Sequence, residues 1–314
     1  LDSPTAEPLR SDIVCAVEGG SAHMGPLDPG PASGGFADND EEPLFNIQIY
    51  ADIVCPWCYI GTANLAASIA RARGASFTLQ WEPFMIAVDV LEAGMGMDEY
   101  MQSRYQHNGD MSDPETPLNK ACRFAGIKIL HKRQMWNSAR ALRLMEMAGK
   151  EGEGDTGPPG KQHSKQTALM MAMYTAYFND GADISSIDVL AGLADKVGIH
   201  GAREFLEGCP PLRELAQEYK DSNKQAKCVG VPHFVISRVG YPGVYRLSGA
   251  HSPGVFDKAF RSLLINKDKL IAMLREKKAR EAAEAAAAAA EAEGGDEARS
   301  GGGADTATEE VVEG

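Results

Sequence analysis

Asp52-Ile53-Val54-Cys55-Pro56-Trp57-Cys58-Tyr59-Ile60-Gly61 decides how the rest of the chain is read. Two cysteines, two residues apart with a proline between them, stand where one hydrophobic period gives way to another. Upstream, Phe45, Ile47 and Ile49 alternate with Asn46 and Gln48, the period of a half-buried strand. Downstream, Leu65, Ala66 and Ile69 recur at helical spacing until Arg71-Ala72-Arg73-Gly74 closes the run with cations and a glycine stop. Free backbone N–H groups and the positive dipole end at a helix start favour a thiolate. Cys55 is therefore the expected attacking thiolate. Cys58, one turn in and more buried, is expected to resolve the mixed disulfide.

The competing reading of such a pair is half of a zinc site. A tetrahedral site needs two further ligands, and Cys15, Cys122, Cys209 and Cys228 are scattered, with no His-x-x-x-His to accompany them. No metal is expected. Six cysteines in 314 residues are also too few for a disulfide scaffold.

Beyond the first helix, Phe77, Leu79 and Trp81 alternate with Thr78, Gln80 and Glu82, which gives a strand-helix-strand unit. From about Met97 to Ala226 the period is helical throughout. Leu169, Met170, Met173, Tyr174, Tyr177 and Phe178 line one helix; Ile187, Leu190, Leu193, Ala194 and Val197 line another, opened by Ser186 and closed by Gly198. Pro210-Pro211 opens a third. Strand signals return at Phe234-Val235-Ile236 and Val244-Tyr245-Arg246-Leu247. A last helix follows, with Ser252 as N-cap, Pro253 at its first position and Phe256, Phe260, Leu263 and Leu264 on its buried face. One sheet, split in sequence by a helical subdomain, accounts for this order.

The net charge of -13 belongs to the ends. Residues 1–42 hold nine acids and one base, and residues 276–314 hold eleven acids and four bases, leaving about +2 between them. No basic stripe for nucleic acid remains in the middle. No apolar run approaches the roughly 20 residues of a membrane-spanning helix. The first 42 residues, rich in Gly, Pro, Ser and Asp, are expected to be disordered. The Glu/Ala/Lys/Arg run of 276–293 is expected to extend the last core helix and to fray into a disordered acidic tail.

The central segment resembles the active-site stretch of DsbA-family thioredoxin-fold oxidoreductases, in the branch called FrnE-like. The likeness continues at Trp81-Glu82-Pro83-Phe84, at the polar helix start Asn137-Ser138, at Gly230-Val231-Pro232-His233-Phe234 and at Leu247-Ser248-Gly249-Ala250. It implies an α/β, thioredoxin-like fold with a large helical insertion: the N-terminal portion of the thioredoxin fold over 43–96, the insertion over 97–226, and the C-terminal portion of the fold over 227–275. It also implies catalysis by Cys55 and Cys58, supported by Pro56 and Trp57, and a cis Val231–Pro232 bond facing them, with Val231 and Pro232 offered to an extended substrate. The chain departs from the family at Ala141-Leu142-Arg143-Leu144, which lacks a histidine the family carries there, and at His251, where glutamine is frequent. Neither His233 nor His251 is expected to be catalytic.

The leading functional expectation is a thiol-disulfide oxidoreductase acting on protein or small-thiol substrates, without a bound cofactor and with glutathione as a candidate co-substrate. It is expected to work inside the cell, the absence of Asn-x-Ser/Thr acceptors pointing weakly away from secretion. One alternative is a glutathione-dependent isomerase of the 2-hydroxychromene-2-carboxylate type, which has serine where this chain has Cys55. The other is a non-catalytic chaperone or scaffold.

Overall fold

The computed structural model describes residues 42–90, 92–107, 109–151, 165–226, 228–264 and 275–283. The expected N-terminal disorder and acidic tail lie outside these residues. Two units divide at Leu264. In the smaller, residues 275–283 are helical, with a Lys277–Glu281 ion pair one turn apart. The segment expected to join this stretch to the last core helix lies outside the described residues.

The larger unit is built on β1 (Leu44–Ala51), α1 (Pro56–Arg71) and β2 (Ser76–Pro83), then β5 (His233–Arg238), β6 (Val244–Ser248) and α9 (Pro253–Leu264). Sheet order is β2-β1-β5-β6, with β1 parallel to β2 and antiparallel to β5, and β5 antiparallel to β6. The alternation read from sequence sets the faces. Phe45, Ile47 and Ile49 are buried, and Phe45 stacks on Phe77 across the ladder at 5.3 Å between centroids. Phe260 of α9 closes on both rings, and Phe234 meets Phe256 edge-on. Ser68 and Arg71 of α1 both reach Asp257 of α9, tying together the two helices on this face.

Between β2 and β5 lie β3 (Met95–Gly96), α2 (Met97–Tyr105), α3 (Pro117–Ala125), β4 (Gln134–Met135), α4 (Ala139–Glu151), α5 (Lys165–Asp180), α6 (Ile187–Lys196), α7 (Ala202–Glu207) and α8 (Leu212–Gln225). The insertion is thus not helical throughout, because β4 interrupts it and pairs with β3. Two residues per strand are too few to show a period of two, and so the sequence hides the pair. Ser186 caps α6 as expected, accepting from the Val189 N–H.

β2 is an edge strand, and at Trp81 a side-chain amide occupies the pairing position a further strand would take. Gln166 accepts from the Trp81 N–H at 3.1 Å and donates to the Trp81 carbonyl at 3.2 Å. Asn223 makes the same pair of bonds to Met85, just beyond the end of β2, at 3.3 and 2.7 Å. Both amides satisfy backbone groups that would otherwise be orphaned, and both pin the insertion to the sheet. The Trp81 indole adds a bond to the Thr167 hydroxyl at 3.0 Å.

Candidate active site

β1 ends at Ala51, and a tight turn brings Cys55 to the N-cap of α1 with φ -85° and ψ 111°. Pro56 takes the first helical position, where its missing N–H costs nothing and its fixed φ suits the helix. The Cys55 carbonyl accepts from the N–H groups of Cys58 and Tyr59, at 3.1 and 3.3 Å, so the two cysteines span the first turn. Both are free thiols within hydrogen-bond reach of each other. Cys55 is 4% exposed and Cys58 0%, so the order of burial is the expected one while the contrast is small. Burial pushes the Cys58 thiol well up, and the hydrogen bond and charge of Cys55 raise it further, against the lowering effect of the Asp52 backbone N–H. Trp57 is half-buried against the core beside the pair.

The Val231–Pro232 bond is cis. Its loop meets α1 at two levels. The Val231 carbonyl lies 3.9 Å from the Cys55 sulfur, and the Pro232 ring rests against Gly61, one turn beyond the cysteines. A Cβ at Gly61 would come within 3.1 Å of Pro232 Cγ and of Phe234 Cζ, so glycine is what lets the loop close on the helix. The Pro232 carbonyl accepts from Gly249, and Asn64 of α1 donates to the His251 carbonyl. The Leu247-to-Ala250 motif is therefore the clamp that holds α1 against the proline loop. His251 bonds the Ser248 carbonyl and His233 the Ser248 hydroxyl, positions that brace this turn rather than reach the thiols.

Asp52, to which sequence reasoning assigns no role, is fully buried just ahead of the cysteines. Its carboxylate accepts from the Ile86 N–H at 2.7 Å and the Val54 N–H at 3.3 Å. Burial nevertheless raises it to about 6, the hydrogen bonds only moderating the shift. A lone acid in the otherwise apolar stretch around the cysteines is the signal that could have found it. Asn137 caps α4 through the Ala139 N–H and donates to the Val90 carbonyl, and Ser138 lies close to the Asp52 carboxyl.

A sheet of this topology, with a two-cysteine helix start facing a cis-proline loop, defines a thioredoxin-fold dithiol protein. Residues 46–261 match the family model of the DSBA-like thioredoxin domain, and the chain belongs to that family. It is 24% identical over 232 residues to the uncharacterized protein YwbO of Bacillus subtilis, covering 68% of this chain and 94% of that one. The crystal structure of a probable DsbA oxidoreductase, SCO1869 from Streptomyces coelicolor, is similar at a TM-score of 0.55 and 21% identity, over 70% of this chain and 89% of that one. The cytosolic disulfide reductase DsbM from Pseudomonas aeruginosa aligns at a TM-score of 0.42 and 16% identity, over 73% and 98% of the two chains.

Proposed function

We propose that the chain is a thiol-disulfide oxidoreductase of the FrnE-like branch, in which Cys55 attacks and Cys58 resolves. Cys55 thiolate forms a bond to one sulfur of a substrate disulfide and expels the other as a thiolate. Cys58 then loses its proton and attacks Cys55, and the second substrate sulfur departs with the electron pair. The reverse sequence oxidises a dithiol substrate. The observation that carries the reading is the pairing of the two thiols in the first turn of α1 with the Val231 carbonyl 3.9 Å from the Cys55 sulfur. Val231 and Pro232 form the wall against which a substrate sulfur approaches Cys55.

Substrates are protein disulfides or glutathione, met inside the cell. No bound cofactor is required, since both electrons reside on the cysteine pair. Among the described residues no helix is long and apolar enough to cross a membrane. The test is disulfide reduction on insulin with glutathione as donor, in wild type, Cys55→Ser and Cys58→Ser. Loss of turnover in both variants, with mixed disulfides accumulating only in Cys58→Ser, is expected. Full turnover in Cys55→Ser would overturn the assignment.

A further inference from the structure

The loop that carries Pro232 begins in a corner. Cys228 is buried, and its sulfur accepts from the Gly230 N–H, two residues on. A side chain that bonds the backbone two residues ahead folds the chain into a tight turn, as Asn and Asp side chains do elsewhere. Val229 is left at the apex. It is 90% exposed, whereas the other exposed large apolar side chains among the described residues lie between 37% and 55%. Glycine, proline and small polar residues are the usual occupants of such corners, and a single apolar residue elsewhere on a surface needs no explanation. This one stands two residues from Val231, which is buried and whose carbonyl lies 3.9 Å from the Cys55 sulfur. Two residues of chain span at most about 7 Å, so Val229 is tied to the rim of the site by the covalent backbone itself.

We propose that Val229 is a specificity-determining residue of the exchange reaction, receiving an apolar side chain of an extended polypeptide whose disulfide-bonded cysteine stands beside Val231. The inference rests on the oxidoreductase reading and narrows its substrates. Cys55 is only 4% exposed, so a disulfide set in the surface of a folded domain is held off, and the sulfur must arrive on a thin segment. In an extended segment side chains repeat on one side every second residue, about 7 Å apart. When such a segment runs along the loop with its cysteine pointing down at Cys55, the side chain two residues away points the same way and comes level with Val229. An apolar side chain there removes both surfaces from water, while a polar one must give up its own hydration to do so. The chemistry is that of the exchange already described. Cys55 bonds to the substrate sulfur, the outgoing sulfur leaves as a thiolate with the electron pair, and Cys58 then loses its proton and displaces the polypeptide thiolate.

The experiment is stopped-flow reaction of the reduced full chain with short capped peptides whose single cysteine is held in a mixed disulfide with an aromatic thiol that is coloured once released. The peptides carry Leu or Ser at both positions two residues from the cysteine and are otherwise identical, so the ratio of their rates is free of the sulfur chemistry. Cys55→Ser supplies the background of the other cysteines. Wild type is expected to prefer the Leu peptide about tenfold, the worth of burying one such side chain. Val229→Ser is expected to bring the two rates within about twofold of each other, and Val229→Leu to keep the preference. Val239→Ser, at an exposed valine just beyond the far end of β5, is expected to leave the ratio as in wild type. Equal rates for the two peptides in wild type overturn the Val229 inference alone, as does a Val229→Ser protein that retains the wild-type ratio or a Val239→Ser protein that loses it. A wild type that reacts with neither peptide faster than Cys55→Ser overturns the oxidoreductase reading itself.

Discussion

Asp52→Asn should stabilise the protein at neutral pH and destabilise it in acid. The carboxyl is raised from 3.8 to about 6 by burial, and at 1.36 kcal/mol per unit this amounts to about 3 kcal/mol. Because the folded value lies above the unfolded one, the native state binds the proton more tightly between the two. The favourable contribution is complete below pH 3.8 and is lost as the pH rises through about 6. Asparagine carries no such penalty. It keeps one acceptor, best spent on the Ile86 N–H at 2.7 Å, and gives up the weaker bond from Val54 at 3.3 Å, a loss of about 1 kcal/mol. The variant should therefore be about 2 kcal/mol more stable than wild type at pH 7 and about 1 kcal/mol less stable near pH 4. Urea unfolding of both proteins at several pH values checks this. The informative quantity is the change in their difference, because other carboxylates cancel in it. Parallel stability curves across pH 4 to 7 would refute the claim that Asp52 is charged at a cost in the folded protein.

Gly61→Ala should gain about 1 kcal/mol of helix propensity and lose about 1–3 kcal/mol to overpacking against Pro232 and Phe234. The expected net loss of about 1 kcal/mol by denaturant midpoint should come with slower disulfide exchange, as the proline loop is pushed from the helix. Gln166→Leu orphans the Trp81 N–H and the Trp81 carbonyl and removes a second donor from the Met145 carbonyl, and should cost about 3 kcal/mol in the same assay. Cys58 should resist iodoacetamide at neutral pH until the chain is unfolded, which peptide mapping by mass spectrometry will show. Burial and the Arg246 charge depress His233, so the unfolded chain takes up this proton more readily. Stability from this residue is lost as the pH falls below about 6.5, and His233→Gln should flatten that slope.

The strands and long helices were legible because their burial is periodic. β1 alternates over its whole length, and the α5 stripe from Leu169 to Phe178 repeats with the helical turn. β3 and β4 were not legible, being too short to carry a period. Within the site, Cys55, Cys58 and Pro232 could be named from sequence, because local order fixes a helix start and the resemblance supplies the loop opposite. Asp52 could not be given a role. It takes its character from burial under the insertion, and Tyr174, whose hydroxyl reaches its carbonyl, reads as one more aromatic in a packing stripe. Only tertiary structure brings the 122 residues of separation between them down to a hydrogen bond. The same holds for Gln166 and Asn223, which in sequence are unremarked amides in helices and in space bond the edge of the sheet at Trp81 and the chain just beyond it at Met85.

The claim that Cys55 and Cys58 act as one redox unit is tested most directly by equilibrating the protein in glutathione buffers of graded poise, quenching with acid and mapping the cysteines by mass spectrometry. A single two-electron transition is predicted, in which an intramolecular Cys55–Cys58 disulfide replaces two free thiols. Independent glutathione adducts on the two cysteines, or a pair that stays reduced at every poise, would contradict it.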